Sequence, residues 1–351
     1  MNGNTHRCCE EHNEAIVTQL NCNFYEAHWK CSVPRRALPV PTLERIIHSI
    51  LPHHGVLDIQ PLAGGLRNAN FKVYLSSAPE LVVLRIYEHD RSICQKEIDL
   101  LRRVGNSVPV PEVIHAEPCG LEEIPPFMLM RYVEGIIFLE LKRSGDTEAI
   151  AQAAFSAGEV LSKIGHITFS KAGWLGPGPE VSGPLLEGAN VIPRFFDLCL
   201  ASVNLQERVP ADLRNRTHAF VWSWAAQLAM LEHEAYLVHG DFNRRNLLMQ
   251  RIAGRWSVAA VLDWELAVSG SPLGDLGNFL RYERAARPII EPHFSAGYLH
   301  GGGTLPENWR YLARLIDLTA LYESLTHDQL PDTMAVELVE LIRATVKNRD
   351  P

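Results

Sequence analysis

The stretch LVHGDFNRRNLLM, residues 237–249, decides the fold because polar residues stand at a fixed spacing between two apolar runs. His239 and Asp241 follow an apolar pair, and Asn246 comes five residues after Asp241. An aspartate and an asparagine at this spacing do not serve a hydrophobic core. The stretch therefore predicts a loop whose side chains meet a charged ligand.

A hairpin is predicted directly after this loop. NLLMQRIAGRWSVAAVLDW alternates as two strands around a turn near Ala253 and Gly254, and Asp263 ends the second strand. The two ends of an antiparallel hairpin lie close together. We therefore expect Asp241, Asn246 and Asp263 to surround one point. Carboxylate and amide oxygens there would suit Mg²⁺ and the phosphates that it accompanies.

The residues before this loop predict a small antiparallel sheet with one packed helix. The predicted strands lie in DIQPLAGGLRNANFKVYLSS, ELVVLRIYEHD and PPFMLMRYVEG, and the helix lies in RSICQKEIDLLRRVGNS. A short amphipathic helix is predicted in TLERIIHSILPHHG, ahead of the sheet. We divide the chain into an N-terminal extension (1–38), an N-lobe (39–133) and a helical C-lobe (134–351).

The second lobe is predicted to be mainly helical. Helices are expected in TEAIAQAAFSAGEVLSKIGHI, NRTHAFVWSWAAQLAMLEHE, ENWRYLARLIDLTALYESL and DTMAVELVELIRATVK. The segment GWLGPGPEVSGP is rich in glycine and proline and is predicted to be a loop. The fold class expected from this order of elements is α+β.

Composition and charge exclude several partners. The net charge is −8, from 41 acidic and 33 basic side chains, and no long basic run occurs, so nucleic acid is not an expected partner. No apolar stretch reaches the ~18 residues of a membrane-spanning helix. The first residues also lack a basic region followed by an apolar core, so no signal peptide is predicted and the expected location is cytoplasmic.

Seven cysteines are present, an odd number that does not favour a disulfide framework. Four of them fall within the first 31 residues, near His6, His12 and His28. A zinc site is one interpretation of that cluster. Reduced thiols are the interpretation that we favour, because no C-x2-C pair is present.

Together, these motifs resemble a known family. H-x-D-x-x-x-x-N, a hairpin and a strand-ending aspartate resemble the catalytic layout of protein-kinase-like phosphotransferases. The form H-G-D, with L-D-W in place of D-F-G, is similar to the aminoglycoside phosphotransferase and choline kinase family. The resemblance covers roughly residues 55 to 330, in the same order of elements.

The resemblance implies a bilobal protein-kinase-like fold, with a small antiparallel-sheet N-lobe that binds nucleotide and a larger helical C-lobe. It implies transfer of the γ-phosphoryl of ATP or GTP, with Mg²⁺, to a hydroxyl of a small molecule. The acceptor would be aminoglycoside-like or another hydroxylated metabolite, and we expect it to carry an amine.

Roles for the loop residues follow from the resemblance. Asp241 would orient the acceptor hydroxyl and take its proton, while Asn246 and Asp263 would hold Mg²⁺. His239 would brace the loop, and Asp275, in SPLGDLGNFL, would support it from the next helix. Each residue alone also has an ordinary structural interpretation, as a helix cap, a turn residue or a strand end.

The resemblance also implies a nucleotide site in the N-lobe. The residues concerned lie in the glycine-containing hairpin, on the following strand and helix, and on the strand that links the lobes: Gly64, Gly65, Asn68, Arg85, Glu97, Met130 and Tyr132. Two features depart from the protein-kinase pattern. Arg85 stands where kinases usually have lysine, and only a glycine pair replaces G-x-G-x-x-G.

Acceptor contacts are expected from carboxylates near the loop and on the late helices. Glu265 follows Asp263 closely, and Asp317, Glu323 and Asp328 stand within otherwise apolar sequence. Such carboxylates would pair with a substrate ammonium. The competing interpretation of each is a loop carboxylate or a solvated helix face.

Two rival functions remain open at this point. A nucleotide-binding pseudokinase, or another regulatory module, would share the fold, but the presence of Asp241, Asn246 and Asp263 together disfavours it. A protein kinase is disfavoured because only WELAVSGSPLG separates Asp263 from Asp275, with no long activation segment ending in A-P-E.

Overall fold

The computed structural model describes residues 38–62, 68–87, 91–121, 124–283 and 287–347. The predicted glycine pair, Gly64 and Gly65, lies outside the described residues, as does the N-terminal cluster of cysteines and histidines. The three described cysteines form no disulfide; they are Cys94, Cys119 and Cys199.

A five-stranded antiparallel sheet forms the N-terminal lobe, in the strand order β1-β2-β3-β5-β4. Its strands are β1 Val56–Pro61, β2 Asn68–Leu75, β3 Leu81–Tyr87, β4 Val113–Glu117 and β5 Phe127–Arg131. The edge strand β4 was not predicted, because VIHAE is short and shows no clear alternation. Arg85 of β3 pairs with Asn70 of β2 and with Met128 of β5, which places it in the middle of the sheet.

A helix covers each face of this sheet. Helix α1 (Val40–Ile50) packs Leu43, Ile46 and Ile47 against one face, where it meets Phe127 and Leu129 of β5. Helix α2 (Arg91–Val104) belongs to the core on the other face, with the alternate residues of β5. The period of two along a strand sends neighbouring side chains to opposite faces. The short N-terminal helix therefore gives the sheet a second cover, beyond the one packed helix expected.

The rest of the chain is mainly helical. Its helices are α3 Phe138–Arg143, α4 Thr147–Gly165, α5 Val191–Leu200, α6 Val203–Arg208, α7 Ala211–Ser223, α8 Ala225–Leu231, α9 Leu273–Leu280, α10 Glu291–His300, α11 Trp309–Leu325 and α12 Asp332–Lys347. The single helix predicted over residues 215–234 is wrong, since α7 and α8 are separate. Trp224 interrupts them with non-helical angles and stacks on Tyr311.

The predicted loop over residues 173–184 contains two short strands, β7 (Gly173–Leu175) and β8 (Val181–Gly183). They join a four-stranded sheet in the order β8-β7-β12-β9, which also holds β9 (Tyr236–Val238) and β12 (Val268–Gly270). The glycine- and proline-rich residues correctly predicted a turn, which lies between β7 and β8. Their presence did not exclude short strands of three residues on either side of it.

The predicted hairpin consists of β10 (Leu247–Ile252) and β11 (Arg255–Val261). Its pairing runs from Ile252↔Arg255 at the turn to Leu247↔Val261 at the open end. Ala253 and Gly254 have φ values of 49° and 83°, as a tight two-residue hairpin turn requires. The two-residue strand β6 (Ile136–Ile137) extends this sheet by pairing with β10.

Two strands hold the loop that contains His239, Gly240 and Asp241 against the segment that follows Asp263. Val238 of β9 pairs with Val268 of β12, so the loop after β9 and the residues before β12 lie side by side. Among the described residues, no helix combines the length and the apolar character needed to cross a bilayer.

Candidate active site

The loop after β9 is anchored by Asp275 of α9. One carboxylate oxygen accepts the backbone N–H of His239 at 2.7 Å, and the other accepts that of Gly240 at 3.0 Å. The carboxyl group is fully buried, and burial raises its pKa to about 7, against the opposing effect of these backbone hydrogen bonds. Asp275 therefore joins helix α9 to the start of the loop.

The ring of His239 joins the two segments of the site. Its Nε2 donates to the carbonyl of Leu262 at 2.9 Å, and its Nδ1 accepts the backbone N–H of Asp241 at 3.2 Å. Burial lowers the pKa of His239 to about 4, so the ring is neutral at neutral pH. The histidine thus holds the loop beside the strand end instead of carrying a proton.

Gly240 has a conformation and surroundings that admit no side chain. Its φ is +80°, and an added Cβ would lie 2.3 Å from the carbonyl oxygen of Leu266. The loop therefore packs directly on the backbone that leads into β12. The glycine of H-G-D is required by this contact.

The carboxylate of Asp241 is held by two amides of its own loop. Asn243 Nδ2 donates to Oδ1 at 2.7 Å, and Asn246 Nδ2 donates to Oδ2 at 2.7 Å and to the Asp241 carbonyl at 2.9 Å. Asn243 in turn caps the following turn, since its Oδ1 accepts the N–H of Arg245. The side chain of Asp241 thus has a fixed orientation.

The hairpin brings Asp263 to this loop. Leu262 donates its backbone N–H to the carbonyl of Asn246 at 2.8 Å, which extends the ladder to the open end of the hairpin. Asp263 itself adopts a left-handed backbone conformation, with φ 61° and ψ 70°. Its side chain remains 36% exposed. Asp241, Asn246 and Asp263 are therefore neighbours, with an accessible carboxylate on the hairpin side.

Arg85 lies between the sheet and this hairpin end. Its Nη1 donates to Asp263 Oδ1, its Nη2 donates to Glu265 Oε2 at 3.1 Å, and its Nε lies 3.3 Å from Glu97 Oε2. Although burial acts to lower it, the pKa of Arg85 lies well above its ordinary value because of the three carboxylates. One guanidinium facing three carboxylates leaves this cluster with excess negative charge.

Glu97 accepts hydrogen bonds from several directions. Its Oε2 also accepts the hydroxyl of Tyr87 at 2.6 Å, and its Oε1 accepts the backbone N–H of Trp264 at 3.3 Å. The residue as a whole is 2% exposed. The predicted pair of Arg85 and Glu97 thus lies in the interior and reaches the backbone beside Asp263.

Glu265 faces the N-terminal lobe in this structure. Its Oε2 accepts the Nδ2 of Asn68 at 2.6 Å in addition to Arg85, and its backbone carbonyl accepts Lys96 Nζ at 2.8 Å. Two of the residues predicted for nucleotide binding therefore hold Glu265. Its part in acceptor binding stays a prediction.

Met130 and Tyr132 lie at the end of β5, where the chain leaves the sheet. Met130 is buried, while Tyr132 is partly exposed and donates its backbone N–H to Leu81. The ammonium of Lys72 lies 4.2 Å from the Tyr132 ring centroid. Their contact with a nucleotide base stays a prediction.

The acceptor candidates on α11 differ in their partners. Both carboxylate oxygens of Asp317 accept from Arg281, at distances of 2.6–3.2 Å. Glu323 Oε1 lies 2.9 Å from His327 Nε2. Asp328 lies beyond α11, is exposed and accepts from Asn204. Asp317 is thus already neutralised by a buried arginine.

Several contacting residues were not found by sequence reasoning. Asn243 could have been recognised, because an asparagine two residues after an aspartate commonly forms a side-chain-to-backbone turn. Tyr87, Lys96 and Arg281 gave no local signal, since their partners lie far away in the chain.

Comparison with curated proteins finds relatives that are much longer than this chain. Acyl-CoA dehydrogenase family member 10 of Mus musculus is 25% identical over 302 residues, which cover 78% of this chain and 27% of that protein. Acyl-CoA dehydrogenase family member 11 of Gallus gallus is 27% identical over 250 residues, covering 67% and 30%. The chain spans less than a third of the length of either relative.

Solved structures show the same fold. An aminoglycoside phosphotransferase in ternary complex with ADP and hygromycin B has a TM-score of 0.63 and 20% identity, over 88% of this chain and 99% of that one. A putative fructosamine-3-kinase from Thermobifida fusca has a TM-score of 0.58 and 16% identity, over 88% and 100%. The expected α+β bilobal protein-kinase-like fold is confirmed.

The family follows from a match to most of the sequence. Residues 58–315 match the family model described as the phosphotransferase enzyme family, abbreviated APH. This range includes nearly all of the N-terminal sheet, the loop after β9, the hairpin and the start of α11. The protein belongs to the phosphotransferase enzyme family.

Proposed function

We propose that this protein transfers the γ-phosphoryl group of ATP or GTP to a hydroxyl of a small molecule. The observation that carries the proposal is the fixed carboxylate of Asp241 beside Asn246 and Asp263. Phosphoryl transfer needs little covalent chemistry from the protein, so positioning and charge neutralisation dominate catalysis. One oriented carboxylate would position the acceptor hydroxyl, and one accessible carboxylate would hold the Mg²⁺ that neutralises phosphate charge.

In this proposal Asp241 acts on the acceptor hydroxyl. Its oxygens are oriented by Asn243 and Asn246, so the carboxylate has one arrangement before substrate arrives. It would accept a hydrogen bond from the hydroxyl and take its proton as the new O–P bond forms, while the bond from the γ-phosphorus to the bridging oxygen breaks and ADP or GDP leaves. General base catalysis of this kind contributes about 10²–10⁴-fold to the rate.

The donor set fits Mg²⁺. Asp263 offers a partly exposed carboxylate and Asn246 an amide oxygen, and both are hard donors. Within the described ranges, no group of three or more His, Cys, Asp or Glu side chains could hold a metal. Magnesium is usually bound through one or two carboxylates, with phosphate oxygens and water completing its shell. When bound, the ion would neutralise phosphate charge.

Solved structures with this fold bind nucleotides, which supports the proposal that the phosphoryl donor is ATP or GTP. Solved neighbours include complexes with ADP, AMP-PNP and GDP. In this chain the corresponding cleft would involve Arg85 on β3, Glu97 on α2, and Met130 and Tyr132 at the end of β5. To reach a phosphate, the guanidinium of Arg85 would exchange part of its contact with Asp263 or Glu265.

A small acceptor is favoured over a protein. The residues between Asp263 and Asp275 form a short 3₁₀ turn (Trp264–Leu266), strand β12 and the start of α9. All of them are built into the fold, so this segment provides no long loop for docking a peptide. Solved neighbours include complexes with hygromycin B, kanamycin and gentamicin, which are small hydroxylated molecules.

The test is acceptor-dependent nucleotide turnover. Purified protein is given ATP or GTP with Mg²⁺ and, one at a time, aminoglycosides, amino alcohols, neutral alcohols and sugars. ADP or GDP release is measured, and mass spectrometry identifies the phosphorylated product. Turnover of at least one small acceptor, lost in Asp241→Asn, is expected. The matched control is Asp212→Asn, which removes an exposed carboxylate elsewhere.

Two results would contradict the proposal. Nucleotide binding without transfer to any acceptor would indicate a regulatory pseudokinase. Preferred phosphorylation of a protein hydroxyl, at a higher kcat/KM than any small molecule, would indicate a protein kinase.

A further inference from the structure

A cavity of about 400 Å³ opens in the helical lobe beside the catalytic loop. Its wall includes Gly240, whose chain neighbour is Asp241, and Leu266, against which Gly240 packs. The remaining wall comes from α5, α9, α11, the sheet that holds β9 and β12, the segment 184–188 and residues 231–233 at the end of α8. Pockets of roughly 300–1,000 Å³ enclose most of a drug-sized ligand. The cavity is therefore large enough for a small organic molecule.

Apolar side chains make up most of this wall. They include Trp174, Leu185, Ile192, Phe195, Leu266 and Ile316. A polyhydroxylated ligand would lose its hydration against these groups without gaining hydrogen bonds, which costs free energy. Burying apolar ligand surface there is favourable, because it removes that surface from water. The wall thus selects a ligand with an apolar body.

Among the polar residues of the wall, two have a buried side-chain oxygen that lacks a donor. Glu323 Oε2 and Asn278 Oδ1 are buried, and no described group donates a hydrogen bond to either atom. The residues are 6% and 4% exposed, and both line the cavity. A buried carboxylate oxygen without a donor is costly. Since both residues line the cavity, a ligand bound there would supply the missing donors once the two side chains turn toward it.

The other carboxylates of the wall already have donors. Asp317 is bound by Arg281, and Asp275 accepts the backbone N–H groups of the catalytic loop. Glu232 accepts the backbone N–H of Val191. Glu323 is thus the carboxylate of the wall with a buried oxygen to which no described group donates.

We infer that this cavity binds the acceptor, and that the acceptor is an amino alcohol with an apolar body. The apolar part would pack against the wall, and its ammonium would donate to Glu323 Oε2. A donor on the ligand would likewise satisfy Asn278 Oδ1. The hydroxyl would point past Gly240 toward Asp241. This inference rests on the proposed function for the transfer itself, but the binding site stands on the cavity alone.

The substrate class separates this protein from a kinase for polar polycations. A polycationic antibiotic would bring several ammonium and hydroxyl groups to a wall with one such carboxylate oxygen. The remaining groups would be desolvated against apolar side chains without partners. An apolar amino alcohol matches both the wall and the acceptor atoms.

The test uses four probes that separate the contribution of the ligand's apolar body from that of its amine. Phenylalaninol has an apolar body and an amine, hydrocinnamyl alcohol has the body alone, serinol has the amine alone, and kanamycin is a polar polycation. Calorimetry measures binding with and without nucleotide, and ADP release measures transfer. Phenylalaninol is expected to bind at least about tenfold more tightly than each of the other probes. One charge-assisted hydrogen bond or one buried ring would give a difference of this size.

Variants connect the binding to the cavity. A Cβ on Gly274 of α9 would meet only Ile316 and Val238, at 3.5 and 3.8 Å, and both residues line the cavity. Gly274→Leu is expected to weaken phenylalaninol binding at least tenfold, while nucleotide affinity is retained. Gly274→Ala should have an affinity for phenylalaninol between those of wild type and Gly274→Leu. Glu323→Gln should weaken phenylalaninol about tenfold and leave hydrocinnamyl alcohol unaffected. The exposed Glu340→Gln is the control and should change neither.

The outcomes distinguish the two proposals. Phenylalaninol binding that depends on Gly274 and Glu323, without ADP release for any acceptor, would support the cavity and contradict the proposed transfer. Kanamycin turnover that is insensitive to Gly274→Leu would support the transfer and overturn the cavity as the acceptor site. Equal or tighter binding of serinol or kanamycin would overturn the apolar amino alcohol as the substrate class.

Discussion

Arg85 donates a hydrogen bond to the carboxylate of Asp263, although 178 positions separate the two residues in the chain. The contact links the middle of the N-terminal sheet to the end of the hairpin. Arg85 also contacts Glu97, which is 2% exposed, so the arginine has a structural role in addition to the proposed contact with phosphate.

Replacing Arg85 should therefore affect stability and nucleotide binding together. Arg85→Ala leaves Glu97 buried without its cation, which should lower the free energy of unfolding by about 3–5 kcal/mol. It should also raise the nucleotide KM by about ten- to hundredfold, as loss of a charge-assisted contact does. Denaturant unfolding and steady-state kinetics measure the two effects.

The double variant Arg85→Met with Glu97→Leu separates these effects. It removes both buried charges and should recover stability without recovering nucleotide affinity. A double variant with wild-type KM would show that Arg85 does not touch the nucleotide.

Asp241→Asn should reduce kcat by about 10²–10⁴-fold and leave nucleotide affinity nearly unchanged. The substitution keeps the size of the side chain but removes the proton acceptor. It also turns an amide N–H₂ toward Asn243 or Asn246, which both donate to the carboxylate in the native protein. A small loss of thermal stability should accompany the loss of turnover. Near-native kcat in this variant would disprove a catalytic role.

Asp263→Ala should weaken Mg²⁺-dependent nucleotide binding more than Asn246→Ala does. A carboxylate attracts the ion more strongly than a neutral amide oxygen. Titrations of nucleotide at several Mg²⁺ concentrations measure the effect, and Asp263→Asn serves as the charge-only control. If neither substitution changes the metal dependence, these two residues do not form the metal site.

Opposite pH dependences are expected from His239 and Asp275. Burial lowers the pKa of His239 from 6.5 to about 4, so the unfolded chain binds the extra proton in this range and stability falls as pH decreases. Burial raises the pKa of Asp275 from 3.8 to about 7, so the folded protein binds the extra proton and stability falls as pH increases. Between pH 4 and 6.5 the two contributions oppose each other.

Single substitutions should reveal each contribution. Relative to wild type, Asp275→Asn should lose stability as pH falls from 6.5 toward 4, with a slope of up to about 1.4 kcal/mol per pH unit. His239→Asn should instead lose stability as pH rises from 4 to 7. Urea unfolding at a series of pH values measures both. Identical pH profiles for the two variants would contradict the opposing burial effects.

Gly240→Ala should be more damaging than Gly254→Ala, although both glycines have φ near +80°. A Cβ on Gly254 meets no atom within 4 Å, so only the left-handed conformation costs free energy, about 1–2 kcal/mol. A Cβ on Gly240 would also clash with the Leu266 carbonyl and displace the loop. Unfolding free energy and ADP release should both fall further for Gly240→Ala. Equal effects at the two positions would rule out the close packing.

The sequence predicted the parts of this protein that depend on local pattern. The hairpin around Gly254 was predicted because alternation and turn chemistry act over a few residues. The order Asp241, Asn246, Asp263 predicted their proximity because an antiparallel hairpin joins its own ends. Strand β4 was missed because its register comes from pairing with β5, which no local pattern reveals.

Long-range partners were beyond sequence reasoning for the same reason. Asp317 was expected to be open to a substrate amine, but its partner Arg281 lies 36 positions away and only the fold brings them together. The apolar character of the cavity was also hidden, because its wall combines residues of several helices and a sheet. Each wall residue, taken alone, has the sequence pattern of an ordinary core residue.

The hairpin that assembles the site also offers a place to attach a reporter. Its tip, from Ile252 to Arg255, is exposed, while its open end carries Asn246 and leads to Asp263. The ladder between β10 and β11 holds the open end in register whatever is attached at the far end. A fluorophore attached to the exposed side chain at position 255, which leaves the two-residue turn intact, would therefore sit several residue pairs from the loop of Asp241. Purification, immobilisation and single-molecule observation of the working enzyme could all use this position.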